Sequence, residues 1–143
     1  MFSVTIVNWA ITQTIPPRRL PKLDFLDGIA SDWPTVVVMP VIISGPDEVP
    51  AVLERLEAHK LANPEAFAFV LLSDPPDAAQ EVVAGDDQLE EALQRGIEAL
   101  NLQHAGPGQG SFILLHRRRV LNPAQGCWMA WERKRGKLEQ FNQ

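Results

Sequence analysis

The sequence predicts an α/β fold, a Rossmann-like three-layer parallel sheet. Three short apolar runs alternate with two longer segments of helical periodicity, which is the pattern of consecutive βαβ units. The crossovers between the runs are long enough for the right-handed connections that parallel strands require. The composition, 45% apolar and 22% charged, is that of an ordinary globular domain. We therefore expect one folded domain, formed by residues 35–143, after an N-terminal segment.

That N-terminal segment, residues 1–34, is predicted to be membrane-proximal and to end in a linker. The stretch Phe2–Ile11 is apolar but broken by Asn8, and no basic region precedes it, so it does not resemble a signal peptide. It is too short to cross a bilayer, which takes about 20 apolar residues. Three readings stay open: the tail of a membrane helix, an interfacial segment, or a surface helix packed on the domain. The basic, proline-rich stretch 16–21 indicates a stiff connector.

The first βα unit begins at Thr35. The run Thr35–Val41 is β-branched and apolar, which predicts a strand buried on both faces, with Pro40 marking its end. Ser44 and Asp47 are spaced as a variant capping box, so a helix is expected over about residues 46–59. Its buried positions are predicted to be Val49, Val52, Leu53 and Leu56.

The second unit repeats the pattern. Residues 67–73 predict a strand, and the loop that follows, residues 74–77, contains two consecutive prolines. Asp86 or Asp87 is expected to cap the next helix. Gly96 within that helix indicates close packing against the sheet, because glycine otherwise weakens a helix. The predicted buried stripe is Leu89, Leu93, Ile97 and Leu100.

The last third of the chain contains one more strand and an amphipathic segment. A glycine-rich turn at residues 106–110 precedes a strand at Phe112–Leu115. Residues 127–142 predict a helix that begins near Trp128 and is interrupted at Gly136. Its apolar face is expected to hold Trp128, Trp131, Leu138 and Phe141.

Polar side chains follow the ends of the predicted strands, where ligands bind in open parallel sheets. Ser44, Asp74 with Asp77, and Arg117 are delivered to that edge. Asp74 can accept hydrogen bonds from a nucleobase or a ribose hydroxyl. The alternative is an ordinary loop aspartate that bonds to the nearby backbone.

Two basic clusters, residues 117–119 and 133–137, suit an anionic ligand such as a diphosphate. The second cluster is the more specific indication of a phosphate site, because it contains Arg135-Gly136-Lys137. Glycine lets a ligand approach the backbone, and the lysine can reach a phosphate. The alternative is a solvated basic helix face.

Several classes of function are disfavoured. Eighteen acidic against 13 basic residues give a net charge of −5, which argues against general nucleic-acid binding. Cys127 is the only cysteine, which excludes an internal disulfide, and His59, His104 and His116 lack metal-ligand spacing, so no metal site is assigned. The sequence contains no phosphate-binding or dinucleotide glycine motif and no nucleophile elbow.

The sequence WMAWERKRGKLEQFN, residues 128–142, resembles a stretch of the cyclic β-1,2-glucan synthases. Residues 20–25 (LPKLDF), 37–40 (VVMP), 61–63 (LAN) and 116–119 (HRRR) resemble that family in the same order. The resemblance therefore covers nearly the whole chain.

This resemblance implies an inverting transferase that moves glucose from UDP-glucose onto a growing β-1,2-glucan. It also implies the nucleotide-binding half of a type A glycosyltransferase fold, in a large bacterial protein whose transferase domain lies at the cytoplasmic face of the inner membrane. Asp74 resembles the acidic residue that contacts the nucleotide. Lys137, Leu138 and Asn142 resemble a Lys-x-Gly-Asn-Leu-Asn region with shifted spacing. The nucleotide-binding set expected from the residues and the resemblance together is Asp74, Asp77, Arg117, Arg135 and Lys137.

The sequence also departs from that family. Ala130 replaces a usual glycine, and Pro75-Pro76 stand where an aromatic or polar residue is common. No Asp-x-Asp motif for Mg²⁺ or Mn²⁺ and no acceptor-side base are found, so we expect a soluble fragment that binds UDP-glucose at most and has no catalytic residue of its own. The alternative is a non-catalytic α/β module that docks to the rest of a larger protein through Trp128 and Trp131 and self-associates when isolated. Single-strand binding through the basic clusters is disfavoured by the acidic charge.

Overall fold

The computed structural model describes residues 2–14, 32–106 and 111–143, and it confirms the α/β prediction. A parallel sheet has the strand order β1 (Val36–Ile42), β2 (Ala68–Asp74), β3 (Ser111–His116). Helix α2 (Val49–Ala62) connects the first two strands and α3 (Asp86–Gln103) the second two. The predicted linker and the interior of the glycine-rich turn lie outside the described residues.

The central strand is β2, and all seven of its residues are buried. Strand β1 was expected to be buried on both faces, but among its residues only Met39 is. It lies at an edge of the sheet, so its other residues keep part of their surface in solvent. The expected end at Pro40 was also wrong, because the strand continues to Ile42. An edge strand tolerates proline, since the missing N–H breaks no bond of the ladder.

Helices α2 and α3 cover the same face of the sheet. This follows from the strand order, because successive right-handed crossovers that progress in one direction place their helices on one side. The predicted stripe of α3 is buried as expected. The second helical layer of the expected three-layer fold is not formed by α2 or α3. The core contains Met39, Ile43, Val49, Val52, Leu56, Phe69, Leu71, Leu89, Leu93, Ile97, Leu100 and Phe112.

Both helix starts differ from the capping prediction. Residues Pro46–Glu48 form a short 3-10 turn ahead of α2, and no side-chain cap forms there. Helix α3 begins at Asp86 after Gly85, and the Asp86 carboxylate accepts a bond from the Val83 N–H rather than from the helix. Gly96 does mark close packing, but its neighbour is Leu53 of α2 rather than the sheet.

The C-terminal part departs most from expectation. Residues 127–129 were predicted to start a helix, but they form β5 (Cys127–Met129), which pairs antiparallel with β4 (Val120–Asn122). Helix α4 (Arg133–Phe141) begins later and continues through Gly136. The Ala78 backbone pairs with Trp128, so the hairpin is joined to the loop that follows β2. That long-range pairing explains why a local pattern failed to reveal the strand.

The N-terminal helix α1 (Phe2–Thr14) leaves the side chains of residues 4–14 exposed. Val4, Ile6, Val7, Trp9 and Ile11 are among its exposed apolar side chains. Within the described residues, no helix is both long and apolar enough to cross a bilayer.

Candidate functional site

A buried ionic cluster lies at the carboxyl end of the sheet, where the sequence predicted the site. Asp74, the last residue of β2, is 1% exposed. Arg117 donates to both of its carboxylate oxygens, from Nε to Oδ1 at 2.7 Å and from Nη2 to Oδ2 at 2.9 Å. Lys137 of α4 places its Nζ 2.8 Å from Oδ2. Three of the predicted site residues are therefore brought into contact.

The two cations of this cluster, Arg117 and Lys137, donate all of their hydrogen bonds to acceptors within the protein. The remaining Arg117 donors reach the Trp131 carbonyl at 3.1 Å, the Arg133 carbonyl at 3.0 Å and the Gln140 side chain at 3.3 Å, so every guanidinium N–H is used. The Lys137 ammonium also bonds to the carbonyls of Val41 and Leu72. The cluster thus joins β1, β2, β3 and α4.

Gly136 makes this convergence possible. A Cβ at that position would lie 2.3 Å from the Trp131 carbonyl oxygen and 3.1 Å from Arg117 Nη1. The first turn of α4 can therefore close over the guanidinium only with glycine here. The sequence analysis read this glycine as room for a ligand, but in the structure the space is filled by Arg117.

The two other predicted residues lie outside the cluster. Asp77 is partly exposed and accepts a hydrogen bond from Arg133 Nη2 at 2.7 Å. Arg135 lies on the exposed face of α4 and pairs with Glu139 at 2.9 Å and with Glu132 at 3.3 Å. Arg135 is thus separated from the three buried residues, whereas Asp77 adjoins them through the loop after β2. Ser44 is exposed beyond the end of β1.

A cavity of about 220 Å³ opens at this edge, and we call it the carboxyl-end cavity. A carboxylate offers about four acceptor positions. Three of those on Asp74 are taken by Arg117 Nε, Arg117 Nη2 and Lys137 Nζ, which leaves Oδ1 able to accept one more bond. The cavity is lined by Ile42, Asp74, Pro75, Pro76, Asp77, Ala130 and Arg133.

A second hollow of about 360 Å³ lies on the other side of Arg133, and we call it the Trp131 hollow. Trp131 is 50% exposed there. Arg133 lines both spaces, so the two are neighbours. The Trp131 hollow is lined by Asn122, Gln125, Met129, Trp131, Glu132 and Arg133.

A second buried arginine holds the loop that walls the carboxyl-end cavity. Arg119 is 4% exposed; its Nε donates to the Pro76 carbonyl at 2.7 Å, and its Nη2 to Asp86 Oδ1 at 3.1 Å. Nη1 donates to the other Asp86 oxygen and to the Glu81 carbonyl. The hydrogen bonds from Arg119 outweigh burial and lower the pKa of Asp86 below its usual value. Arg119 therefore fixes the loop to the start of α3.

A larger cavity, of about 560 Å³, lies on the β3 side of Arg117, between α3 and α4. His116 lines it, and its Nδ1 lies 2.8 Å from the buried Ser73 hydroxyl. Burial lowers the pKa of His116, although Glu90 and Asp74 act in the opposite direction. A neutral imidazole is favoured there.

The structure adds Arg119, Arg133 and Trp131 to the residues of interest. Sequence reasoning had grouped the two arginines in basic runs without separating them from their neighbours, and it had placed Trp131 on a helix face. Their partners, such as Asp77 for Arg133, lie 56 residues away and carry no local signal. In the described ranges no group of three or more His, Cys, Asp or Glu residues is arranged to hold a metal ion. Asp74 and Asp77 are each paired with a cation instead.

The chain is 44% identical over 138 residues to the cyclic beta-(1,2)-glucan synthase NdvB of Rhizobium meliloti. The match covers 96% of this chain and 5% of that protein. The resemblance found in the sequence is therefore confirmed, and the chain corresponds to a small part of a much longer relative. No protein-family profile matches the sequence.

Proposed function

We propose that this chain is the donor-nucleotide part of a cyclic β-1,2-glucan synthase, and that it binds UDP-glucose with the uracil in the carboxyl-end cavity. In the complete protein the glucose would pass to a growing β-1,2-glucan at the cytoplasmic face of the inner membrane. The identity to a glucan synthase supports the substrate class. The single structural observation that carries the proposal is the open acceptor position on the buried Asp74 carboxylate at the end of the central strand.

At the N3 position of a pyrimidine, the free acceptor on Asp74 favours uracil over cytosine. The N3–H of uracil is a donor and suits a carboxylate, whereas N3 of cytosine is an acceptor that would face it with like polarity. Because Arg117 and Lys137 fix the Asp74 carboxylate from two sides, it cannot turn away from an unsuitable base. A site built on a buried polar group rejects a ligand that leaves that group unpaired.

The described residues support binding rather than transfer. The Asp74 carboxylate is paired with two cations, so no general base is assigned. A divalent metal would neutralise the donor's diphosphate in the complete domain, but Asp74 and Asp77 already pair with cations and do not fit as its ligands.

The test uses the intact chain and changes only the ligand, so no variant has to fold. Saturation-transfer NMR and isothermal titration would compare UDP-glucose, UDP, CDP and UDP methylated at N3. We expect UDP to bind at least about tenfold more tightly than CDP or the methylated analogue, which corresponds to one charge-assisted hydrogen bond. Equal affinities for UDP and CDP, or no UDP binding at millimolar concentration, would contradict the proposal.

A second role, docking to the rest of a larger protein, is favoured by exposed apolar residues of the outer strands on the sheet face opposite α2 and α3. Ile42, Ile113 and Leu115 on that face are exposed. The two roles are compatible, because the carboxyl-end cavity lies at the end of the strands and not on the face that contains Ile113 and Leu115.

A further inference from the structure

Arg133 occupies the boundary between the carboxyl-end cavity and the Trp131 hollow. It lines both spaces, and its side chain is 58% exposed. Nη2 donates to Asp77, while Nε and Nη1 have no partner in the described part of the chain. A guanidinium with spare donors, placed where two hollows meet, is suited to an oxyanion that extends from one hollow into the other.

The other cations near the site are less available. Arg117 and Lys137 have every N–H engaged inside the protein. Arg135 is held by Glu132 and Glu139 on the exposed face of α4 and lines neither space. For a ligand anchored at Asp74, Arg133 is therefore the cation with both the position and the free donors.

The Trp131 hollow has the chemistry of a sugar site. Trp131 offers a half-exposed aromatic face, on which the apolar C–H face of a pyranose can be buried. Gln125 and Glu132 add amide and carboxylate groups that can pair with hydroxyls. The lining of the Trp131 hollow thus combines one aromatic face with hydrogen-bonding groups, which is the combination that a sugar requires.

The backbone between the two spaces is held in an unusual conformation. Glu132 and Arg133 have φ values of 53° and 42°, in the left-handed region that side chains other than glycine rarely adopt. Arg117 fixes this turn by donating to the carbonyls of Trp131 and Arg133. Backbone strain of this kind is often retained where it places functional side chains.

From these observations we infer that Arg133 binds the diphosphate of the donor and that the Trp131 hollow receives its glucosyl group. The inference rests on the proposed function, since it starts from a uracil held at Asp74. It adds the path of the ligand: the base lies in the carboxyl-end cavity, the diphosphate crosses at Arg133, and the hexose lies against Trp131.

The experiment is a titration series with uridine, UDP and UDP-glucose on the intact chain and four variants. Arg133→Asn removes the guanidinium while keeping a residue that tolerates positive φ. Arg135→Asn is the matched control on the same helix. Trp131→Ala removes the aromatic face, and Trp131→Phe keeps one. Melting temperatures confirm that each variant is folded.

For the unmodified chain we expect UDP to bind about tenfold more tightly than uridine. Arg133→Asn should reduce that ratio to about onefold to twofold, whereas Arg135→Asn should preserve it. Trp131→Ala should abolish an advantage of about threefold to tenfold for UDP-glucose over UDP, and Trp131→Phe should retain most of it.

The two levels of proposal fail differently. If uridine binds but Arg133→Asn keeps the gain from the diphosphate, or Trp131→Ala keeps the gain from glucose, the path through Arg133 and the Trp131 hollow is wrong and the base site stands. If uridine and UDP both fail to bind the unmodified chain, the base site is wrong and the inferred path falls with it.

Discussion

The buried ionic cluster of Asp74, Arg117 and Lys137 is costly to take apart. An isolated carboxylate at 1% exposure would be strongly destabilising, and its two cations provide the compensation. Removing one partner of a buried pair leaves an uncompensated charge, which costs about 3–5 kcal/mol. The side chains that fix Asp74 in the proposed base site therefore also stabilise the fold.

We predict that Lys137→Met lowers the free energy of unfolding by about 3 kcal/mol, because the Asp74 carboxylate loses one cation and two carbonyls lose their donor. Lys134→Met, at an exposed position of the same helix, should change it by less than about 0.5 kcal/mol. Urea unfolding followed by tryptophan fluorescence measures both. Equal effects of the two substitutions would show that Lys137 contributes little to stability.

Gly136 gives a second prediction at the residue scale. Alanine normally stabilises a helix interior by about 1 kcal/mol relative to glycine. Here its Cβ would meet the Trp131 carbonyl at 2.3 Å, and backbone cannot move aside as a side chain can. We expect Gly136→Ala to destabilise the protein by about 2 kcal/mol.

The control for Gly136 is Gly96→Ala, whose Cβ would meet the mobile end of the Leu53 side chain. Its cost should be clearly smaller, because Leu53 can change rotamer. Chemical denaturation of both variants separates the two cases, and a stabilised Gly136→Ala protein would refute the packing argument.

The Arg119–Asp86 pair gives a pH dependence with a defined sign. The pKa of Asp86 is lowered in the folded state from 3.8, so below that pH the unfolded state binds more protons. The stabilisation is complete above the unfolded pKa and is lost as pH falls through the folded value.

We therefore expect Asp86→Asn to cost more stability at about pH 6 than at about pH 3. The measurement is the free energy of unfolding of both proteins at each pH. Both proteins carry His116→Asn, because burial lowers the pKa of His116 from 6.5 and the Asp86 charge raises it, so the acid destabilisation by His116 would otherwise differ between them. A cost independent of pH would mean that the carboxylate charge is irrelevant.

At the scale of elements, the strands and helices of the βαβ units could be predicted from periodicity. Which of these elements lie beside each other in the fold could not. The stripe of α3 is buried because its spacing of three and four residues faces one side. The exposure of β1 depends on which strand stands beside it, and that information is not in the run itself. The hairpin was missed for the same reason, since β5 is fixed by pairing with β4 and with Ala78.

The candidate site shows the same division. The sequence correctly placed Asp74 and Arg117 at the carboxyl edge, because parallel strands end at one side of a sheet. It did not reveal that Arg117 is fully engaged or that Arg119 differs from exposed Arg118. Asp74 and Arg117 lie 43 residues apart, so their pairing emerges only when the fold brings them together.

The hairpin turn offers a prediction at the element scale. Gly126 has φ of +63°, and a Cβ there would meet nothing within 4 Å. The cost of Gly126→Ala should therefore be conformational alone, about 1 kcal/mol, with Gly126→Asn smaller because asparagine tolerates this region. Thermal unfolding of the two variants measures the difference. An equal cost for both would indicate that turn conformation does not limit the hairpin.

At the scale of the whole molecule, α2 and α3 lie on one side of the sheet, and apolar side chains of the two outer strands are exposed on the other side. The side chains there follow the parity opposite to the core, and at its margins Val36, Ile42, Ile113 and Leu115 are exposed. Strands β1 and β3 are both edges of the described sheet. Apolar residues beside free strand edges favour association with another chain or with further parts of a larger protein.

We expect the isolated chain to self-associate reversibly, with a sedimentation coefficient that rises with concentration. Ile113→Lys combined with Leu115→Lys should shift that equilibrium toward monomer by about tenfold or more, because two charges on an edge strand oppose pairing and remove apolar contact area. Val82→Lys, at an exposed apolar position away from the sheet, is the matched control and should leave association unchanged. Velocity sedimentation over a hundredfold concentration range, about 1–100 μM, covers dissociation constants in the micromolar range. A monomer at every concentration would show that the exposed apolar residues of the outer strands do not drive association by themselves. Association that survives both lysines would instead assign it to surfaces away from β3, of which the exposed apolar helix α1 is the foremost.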